Sequence, residues 1–243
     1  MENIPAYDEI SSNLRKRAWL YLILAAAVFI SAFNYSENLT EWLGDKLLPN
    51  DATLVYLSPA EFLILKMRIA AYAALSVSFI LLMIDCWTTM RKRTDLPEIG
   101  YSKIIGTLLI SLTLFSAGIL YSLELMLPLV LDFLQTDAAD AGLETTYRLT
   151  SFYHFVFLLT FALGVSFQLP LIIMLLLRLE LATTEQLSEF RSHLIVTFFV
   201  LAALITPPDV ISQFLLAVPL IVCLLYTSPS PRDTPISRMP SSA

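Results

Sequence analysis

The stretch LTSFYHFVFLLTFALGVSFQLPLIIMLLL, residues 149–177, decides the fold because it runs for 29 residues without Asp, Glu, Lys or Arg. As a straight helix it would rise about 43 Å, whereas the hydrocarbon core of a bilayer is about 30 Å thick. It therefore predicts a membrane span that tilts or bends. Pro170 lacks an amide donor and predicts the bend, while Gln168 places a primary amide among apolar neighbours. Gln168 is either a polar contact between helices or part of a working site.

The composition predicts an all-α membrane protein with several spans rather than a soluble domain. Of 243 residues, 57% are hydrophobic and 15% are charged, and the mean hydropathy is +0.72. The two cysteines, Cys86 and Cys223, are not part of a CxxC motif or a Cys/His cluster. The sequence therefore predicts neither a disulfide nor a zinc site, and it implies no cofactor and no nucleic-acid partner.

Six apolar segments predict six membrane-spanning helices. They cover about residues 18–35, 59–89, 104–133, 149–177, 193–206 and 210–226. Pro128 predicts a bend in the third span, and the last two spans, at 14 to 17 residues, are short for a bilayer. Residues 1–17 and 39–48 have a helical apolar spacing, which predicts two separate helices on the membrane surface.

The distribution of Lys and Arg predicts the orientation, because six crossings place both termini on one side. Nine of these residues lie on one predicted side, in segments 1–17, 85–103 and 178–193. Four lie on the other side, in segments 34–68, 124–148 and 207–209. The first side, which carries both termini, is therefore predicted to be cytoplasmic. The other side carries eleven carboxylates and is acidic.

The chain divides into three parts on these grounds. Residues 1–17 form a cytoplasmic N-terminal segment, and residues 18–226 form the six-span transmembrane domain. Residues 227–243 contain four prolines, and we interpret them as a tail that is disordered or foreign to the protein.

A serine hydrolase is the first enzyme class to test, because Gly164-Val165-Ser166 occurs in a chain with two histidines. Ser166 lies in a predicted helix and lacks the second glycine of a nucleophile elbow. His154 and His193 fall at opposite ends of the membrane in the predicted topology. Packing and helix-end positions explain these histidines better, so the sequence predicts a protein that is not an enzyme.

Several sequence blocks occur in a specific order and spacing. They are LRKR at 14–17, LSPAEF at 57–62 with Lys66, Leu114-Phe115 with Gly118 and Pro128, FALGVSFQLP at 161–170, and TPPDVISQ at 206–213 followed by LAVP at 216–219. On these blocks the chain resembles the TatC family, the polytopic subunit of the twin-arginine protein translocase, over about residues 10–226. The resemblance implies a cup-shaped bundle of six transmembrane helices whose concave face is lined partly by the fourth span.

The resemblance also implies a function. A TatC-like chain is a receptor for signal peptides with two adjacent arginines and the core of a translocase that exports folded proteins, powered by the proton gradient. It implies a multi-pass protein of the cytoplasmic (inner) membrane. The implied partners are single-span subunits similar to TatA and TatB, twin-arginine signal peptides, membrane lipids and further copies of the chain.

The family's receptor carboxylates come from the N-terminal segment and from the loop between spans two and three. Guanidinium groups pair bidentately with such carboxylates. Here Asn13 stands at the N-terminal glutamate position, and the second position falls near Gly100. The candidate signal-peptide residues are therefore Glu98, Asp95, Glu9, Asn13 and Arg15. Arg15 also suits an anchor for anionic lipid.

Gln168 matches the family position where a partner's transmembrane helix docks, and a neutral amide can donate and accept there. The structural positions of the resemblance are Pro59, Glu61, Pro207, Pro208 and Asp209. Asp209 also suits the start of span six, where a carboxylate is favourable. Two alternatives stay open: a small-solute or ion transporter, and a TatC-like scaffold without receptor function. A transporter predicts internal repeats and facing ionisable groups at mid-membrane, and the sequence shows no clear sign of them.

Overall fold

The structure is a computed structural model that describes the backbone of residues 6–48, 53–55, 57–93, 101–142, 146–178, 191–205 and 210–227. Within these ranges the chain forms, in order, α1 Ala6–Leu47, β1 Thr53–Val55, α2 Ala60–Arg93, α3 Tyr101–Tyr121, a π-helical turn Ser122–Met126, α4 Leu127–Asp140, β2 Thr146–Arg148, α5 Leu149–Ser166, α6 Leu169–Arg178, α7 Arg191–Ile205 and α8 Val210–Thr227. Side chains are described over most of this backbone, beginning at Arg17.

The apolar helices confirm the predicted six-span bundle. Four stretches are long and apolar enough to cross a membrane, namely Arg17–Leu47, Ala60–Trp87, Leu108–Asp140 and Leu149–Leu177. Two shorter apolar helices follow at Ser192–Leu204 and Ser212–Val222. The sequence therefore predicted both the class of the fold and the shortness of its last two spans.

The helix α1 corrects one expectation. It runs without a break for 42 residues, so residues 6–17 and 39–47 continue the first span and are not separate surface helices. The physical reason is that α1 contains no proline and has its only glycine, Gly44, near its end. Helix propagation is cooperative, and nothing inside this sequence stops it.

Two prolines disturb the helices where the sequence predicted bends. Pro128 has no amide hydrogen for the carbonyl of Glu124, and the turn before it becomes π-helical, with the amide of Leu127 donating to the carbonyl of Ser122. The fourth span is interrupted between Ser166 and Leu169, just before Pro170, so it consists of two helices, α5 and α6. The bend predicted from Pro170 is confirmed.

Two short strands were not predicted. β1 and β2 pair in parallel, with Thr53 opposite Thr146, Leu54 opposite Tyr147 and Val55 opposite Arg148. This pairing joins the chain before α2 to the chain before α5, at the end of the bundle where both helices begin. Three-residue strands are too short to show an alternating apolar pattern.

Helix α5 lies at the centre of the bundle and packs against α2 and α3, while α1 packs along α2 and α8 packs against α6 and α7. Its buried residues include Phe152, Val156, Leu159 and Leu163. At the α3–α5 crossing the backbones approach so closely that a Cβ added to Gly118 would lie 2.7 Å from the carbonyl oxygen of Leu163. This contact fixes the position of the fourth span.

Candidate functional site

The side-chain amide of Gln168 is buried at the interruption of the fourth span. The backbone N–H of Gln168 donates to the carbonyl oxygen of Val165. The backbone carbonyl of Gln168 accepts from the N–H of Ile172. Its side chain is 0% exposed and meets Ser111 of α3 twice. The Ser111 hydroxyl donates to Oε1 at 3.0 Å, and Nε2 donates to the Ser111 carbonyl oxygen at 2.8 Å.

This arrangement is the helix-to-helix contact that a polar residue makes in an apolar bundle. Each polar atom of the Gln168 side chain has a hydrogen-bond partner, which offsets much of the cost of burying the amide. Gln168 points into the protein and not toward lipid. The contact with Ser111 was not predicted. Serines are common in membrane helices, and the sequence does not show which of them lies close to Gln168.

One end of the bundle brings the N-terminal part of α1 against the end of α2. Arg17 Nη1 lies 2.6 Å from Asp85 Oδ1, and Asp85 is 5% exposed. A buried carboxylate needs such a partner, because an unpaired charge in an apolar environment is costly. The contact places the start of the first span beside the end of the second.

The predicted signal-peptide residues lie in the sequence before Arg17 and in the sequence after α2. The backbone at Glu9, Asn13 and Arg15 is part of α1, and their side chains lie outside the described residues. Asp95 and Glu98 also lie outside the described residues. The structure brings α1 and the end of α2 together through Arg17 and Asp85. The role of the five candidate residues stays a prediction.

At the opposite end, Glu61 joins the strand pair to the helices. The Glu61 residue is 3% exposed. Arg148 donates from Nε to Oε1 at 2.8 Å and also from Nη2, and the amide of Leu57 donates to Oε2 at 3.4 Å. Pro59 immediately precedes α2 and is exposed. Pro207, Pro208 and Asp209 lie outside the described residues.

Further ion pairs lie at the same end. Lys46 binds Glu124, and Lys66 binds Glu37 and faces the ring of Phe62 at 4.7 Å. In β2, burial raises the pKa of the Tyr147 phenol above its ordinary value. The predicted acidic face is therefore partly neutralised by cations from neighbouring helices.

A cavity of about 250 Å³ opens between α1, α2, α3 and α5. Its walls are almost wholly apolar and include Leu43, Ile69, Phe115 and Phe161. At its edge the hydroxyl of Tyr72 lies 3.2 Å from Nδ1 of His154. The histidine that sequence reasoning tested as a catalytic base is thus engaged by a phenol. Within the described ranges, no group of three or more His, Cys, Asp or Glu residues is arranged to hold a metal ion.

The chain matches a family model over most of its length. The model described as Sec-independent protein translocase protein (TatC) matches residues 9–219. The relatives include TatC of Haemophilus influenzae, which is 30% identical over 218 residues that make up 88% of this chain and 83% of the relative. TatCy of Bacillus subtilis is 26% identical over 211 residues, which make up 87% of this chain and 82% of the relative.

Solved structures give the same result for the fold. A crystal structure described as the twin-arginine translocase receptor TatC superimposes with a TM-score of 0.77 at 28% identity, covering 91% of this chain and 100% of that chain. A second TatC crystal structure gives a TM-score of 0.76 at 27% identity, covering 90% of this chain and 96% of that chain. The family model, the relatives and the fold agree, and the chain belongs to the TatC family of Sec-independent protein translocase proteins.

Proposed function

We propose that this chain is the twin-arginine signal-peptide receptor and the core subunit of a translocase that exports folded proteins across a membrane. The observation that carries the proposal is the match in fold to the TatC receptor along nearly the whole chain. The relatives quoted above also carry the TatC name, which favours a translocase subunit over a small-solute transporter. In this role the chain binds and positions its cargo and does not act as an enzyme.

We place the receptor surface at the end of the bundle where Arg17 meets Asp85. The N-terminal segment with Glu9 and Asn13 precedes Arg17, and the loop with Glu98 follows the end of α2 at Arg93. A peptide bound at this end can therefore meet both segments. Two adjacent guanidinium groups require carboxylates there, and bidentate pairing distinguishes arginine from lysine.

Crosslinking tests the receptor proposal directly. We would place photoreactive probes at Asn13 and Glu98, with a matched probe at exposed Leu204 at the far end of α7. A twin-arginine peptide should crosslink to the first two probes and not to Leu204, and a twin-lysine peptide should crosslink at least fivefold less. Equal crosslinking of both peptides would leave a TatC-like scaffold without receptor function.

The same proposal assigns docking of a single-span subunit, similar to TatA or TatB, to Gln168. The amide is bound to Ser111 in this structure, so docking requires an exchange in which a polar group of the incoming helix replaces the Ser111 hydroxyl. Such an exchange conserves the number of hydrogen bonds and moves no charge through the bilayer. The assembled complex contains several copies of this chain together with these subunits.

We further propose that the complex resides in the cytoplasmic membrane with the N-terminus on the cytoplasmic side. The excess of Lys and Arg in segments 1–17, 85–103 and 178–193 supports this orientation. Labelling single cysteines with a membrane-impermeant reagent tests it. A cysteine at position 13 should be protected in intact cells, and one at exposed Leu57 should react.

A further inference from the structure

The cavity between α1, α2, α3 and α5 is open to the surroundings of the bundle. Two of the residues that line it, Leu39 and Trp42 of α1, are 38% and 50% exposed. Trp42 also faces Lys46, whose Nζ lies 5.2 Å from the ring centroid. Tryptophan and lysine side chains in this arrangement are typical of the boundary between the hydrocarbon and the headgroups. We therefore expect the part of the cavity beside Trp42 to lie near the headgroups.

Arg68 lies beside this cavity and has no counter-ion among the described residues. It precedes Tyr72 by four residues on α2, so the two side chains lie one above the other on the same helix face. Its charge acts on both the Tyr72 hydroxyl and the His154 ring. In the described part of the chain Arg68 makes no hydrogen bond or ion pair, whereas Lys46 and Lys66 each bind a carboxylate.

The Tyr72–His154 pair adds a polar group at the same place. When the Tyr72 hydroxyl donates to Nδ1, the proton of a neutral imidazole is on Nε2, where it is free to donate. The Arg68 guanidinium supplies further donors. These groups suit an oxygen-rich anion, and the apolar walls of the cavity suit a hydrocarbon.

We propose that this cavity binds one anionic phospholipid, with its phosphate on Arg68 and one acyl chain between α1 and α5. The chemistry combines a permanent positive charge, one helical turn from the cavity-lining Tyr72, with an apolar hole. A free phosphate gains nothing from the apolar walls. A transmembrane helix is about 10 Å wide or more and does not fit a hole of about 250 Å³. A lipid with net negative charge is favoured over a zwitterionic one, because the single guanidinium then meets an uncompensated phosphate.

Trp42 provides the test, because bromine atoms on an acyl chain quench tryptophan fluorescence on contact. Phosphatidylglycerol with brominated chains would be titrated into the purified chain in detergent, and the Trp42 signal taken as the difference from a Trp42→Phe variant. We expect saturable quenching at one lipid per chain. Arg68→Gln should weaken the apparent affinity at least fivefold, and Lys66→Gln, a matched loss of charge at a lysine that binds Glu37 and does not line the cavity, should change it by less than twofold.

Two further arms distinguish a bound anionic lipid from a free phosphate and from nonspecific contact with acyl chains. Ala73→Phe fills the cavity and should remove the saturable quenching while Arg68 is retained. Glycerol 3-phosphate should not compete; competition by it would show a site for a free phosphate and overturn the proposal. The proposal would also be overturned if brominated phosphatidylcholine quenched as strongly as brominated phosphatidylglycerol and if Arg68→Gln did not change that quenching. If Arg68→Gln does not fold, Arg68→Lys must retain the preference for phosphatidylglycerol.

Discussion

The hydroxyl of Tyr121 donates a hydrogen bond of 3.0 Å to the carbonyl oxygen of Leu215. That carbonyl would normally accept from the amide four residues later, but the residue there is Pro219, which has no amide hydrogen. The phenol at the end of α3 thus supplies the donor that α8 lacks. A membrane-spanning helix tolerates an internal proline when a neighbour satisfies the freed carbonyl in this way.

Replacing this donor should weaken the bundle measurably. We expect Tyr121→Phe to lower the free energy of unfolding in detergent by about 1–2 kcal/mol, because the half-buried Leu215 carbonyl is left without a partner. The ring contact with Phe167 at 5.8 Å is retained in this variant. Tyr35→Phe is the control, since Tyr35 is 70% exposed. Equal stability of the two variants would show that Pro219 does not depend on Tyr121.

Gly118 should not tolerate a side chain. An added Cβ would lie 2.7 Å from the Leu163 carbonyl oxygen and 2.9 Å from the Gly164 Cα, and neither backbone atom can move cheaply. We expect Gly118→Ala to lower the free energy of unfolding by about 1–3 kcal/mol. Gly106→Ala is the matched control in the same helix, because nothing lies within 4 Å of its added Cβ. It should be neutral or stabilising, since alanine favours helices.

The Glu61–Arg148 pair should be coupled in a double-mutant cycle. Arg148→Gln leaves a carboxylate that is 3% exposed without its main partner, and we expect a loss of about 2 kcal/mol. This value is below that of fully buried pairs because the Arg148 side chain is 53% exposed. Thermal unfolding of Glu61→Gln, Arg148→Gln and the double variant measures the coupling.

An exposed pair at the same end provides the comparison for that cycle. The Glu37 side chain is 60% exposed and binds Lys66. Glu37→Gln should therefore cost less than about 1 kcal/mol. Additive effects of the Glu61 and Arg148 substitutions would contradict the structural role of this pair.

Gln168 and Ser111 should differ in function although they form one contact. Gln168→Leu is expected to keep the fold and to reduce the amount of single-span subunit that co-purifies by at least fivefold. Ser111→Ala should recruit that subunit at least as well as the unmodified chain, because it removes only the competing hydroxyl. The measurement is the ratio of subunit to chain after purification from membranes.

The opposite result has a clear meaning. If both substitutions only lower stability, by about 0.6 kcal/mol each, and co-purification and transport stay normal, Gln168 is a contact between helices and nothing more. Stability and recruitment must therefore be measured on the same samples.

The parts of the fold that were predicted are those with a strong local signal. Long apolar stretches and Pro170 determine spans and breaks within a few neighbouring residues, and the structure agrees with them. The continuity of α1 was missed because polar residues at both ends suggested boundaries, although nothing there breaks a helix. Buried charge gives a weaker signal: Asp85 and Glu61 in apolar surroundings require partners, but only the fold identifies Arg17 and Arg148.

The unbroken α1 has a mechanical consequence. At 42 residues it is about 63 Å long, and it lacks any internal hinge. Arg17 and Glu37 lie 20 residues apart on α1 and bind Asp85 and Lys66 of α2, so the two helices are tied together at two separate places. We therefore expect a proline introduced at Ala26, between these two contacts, to break α1 into two parts that can move independently.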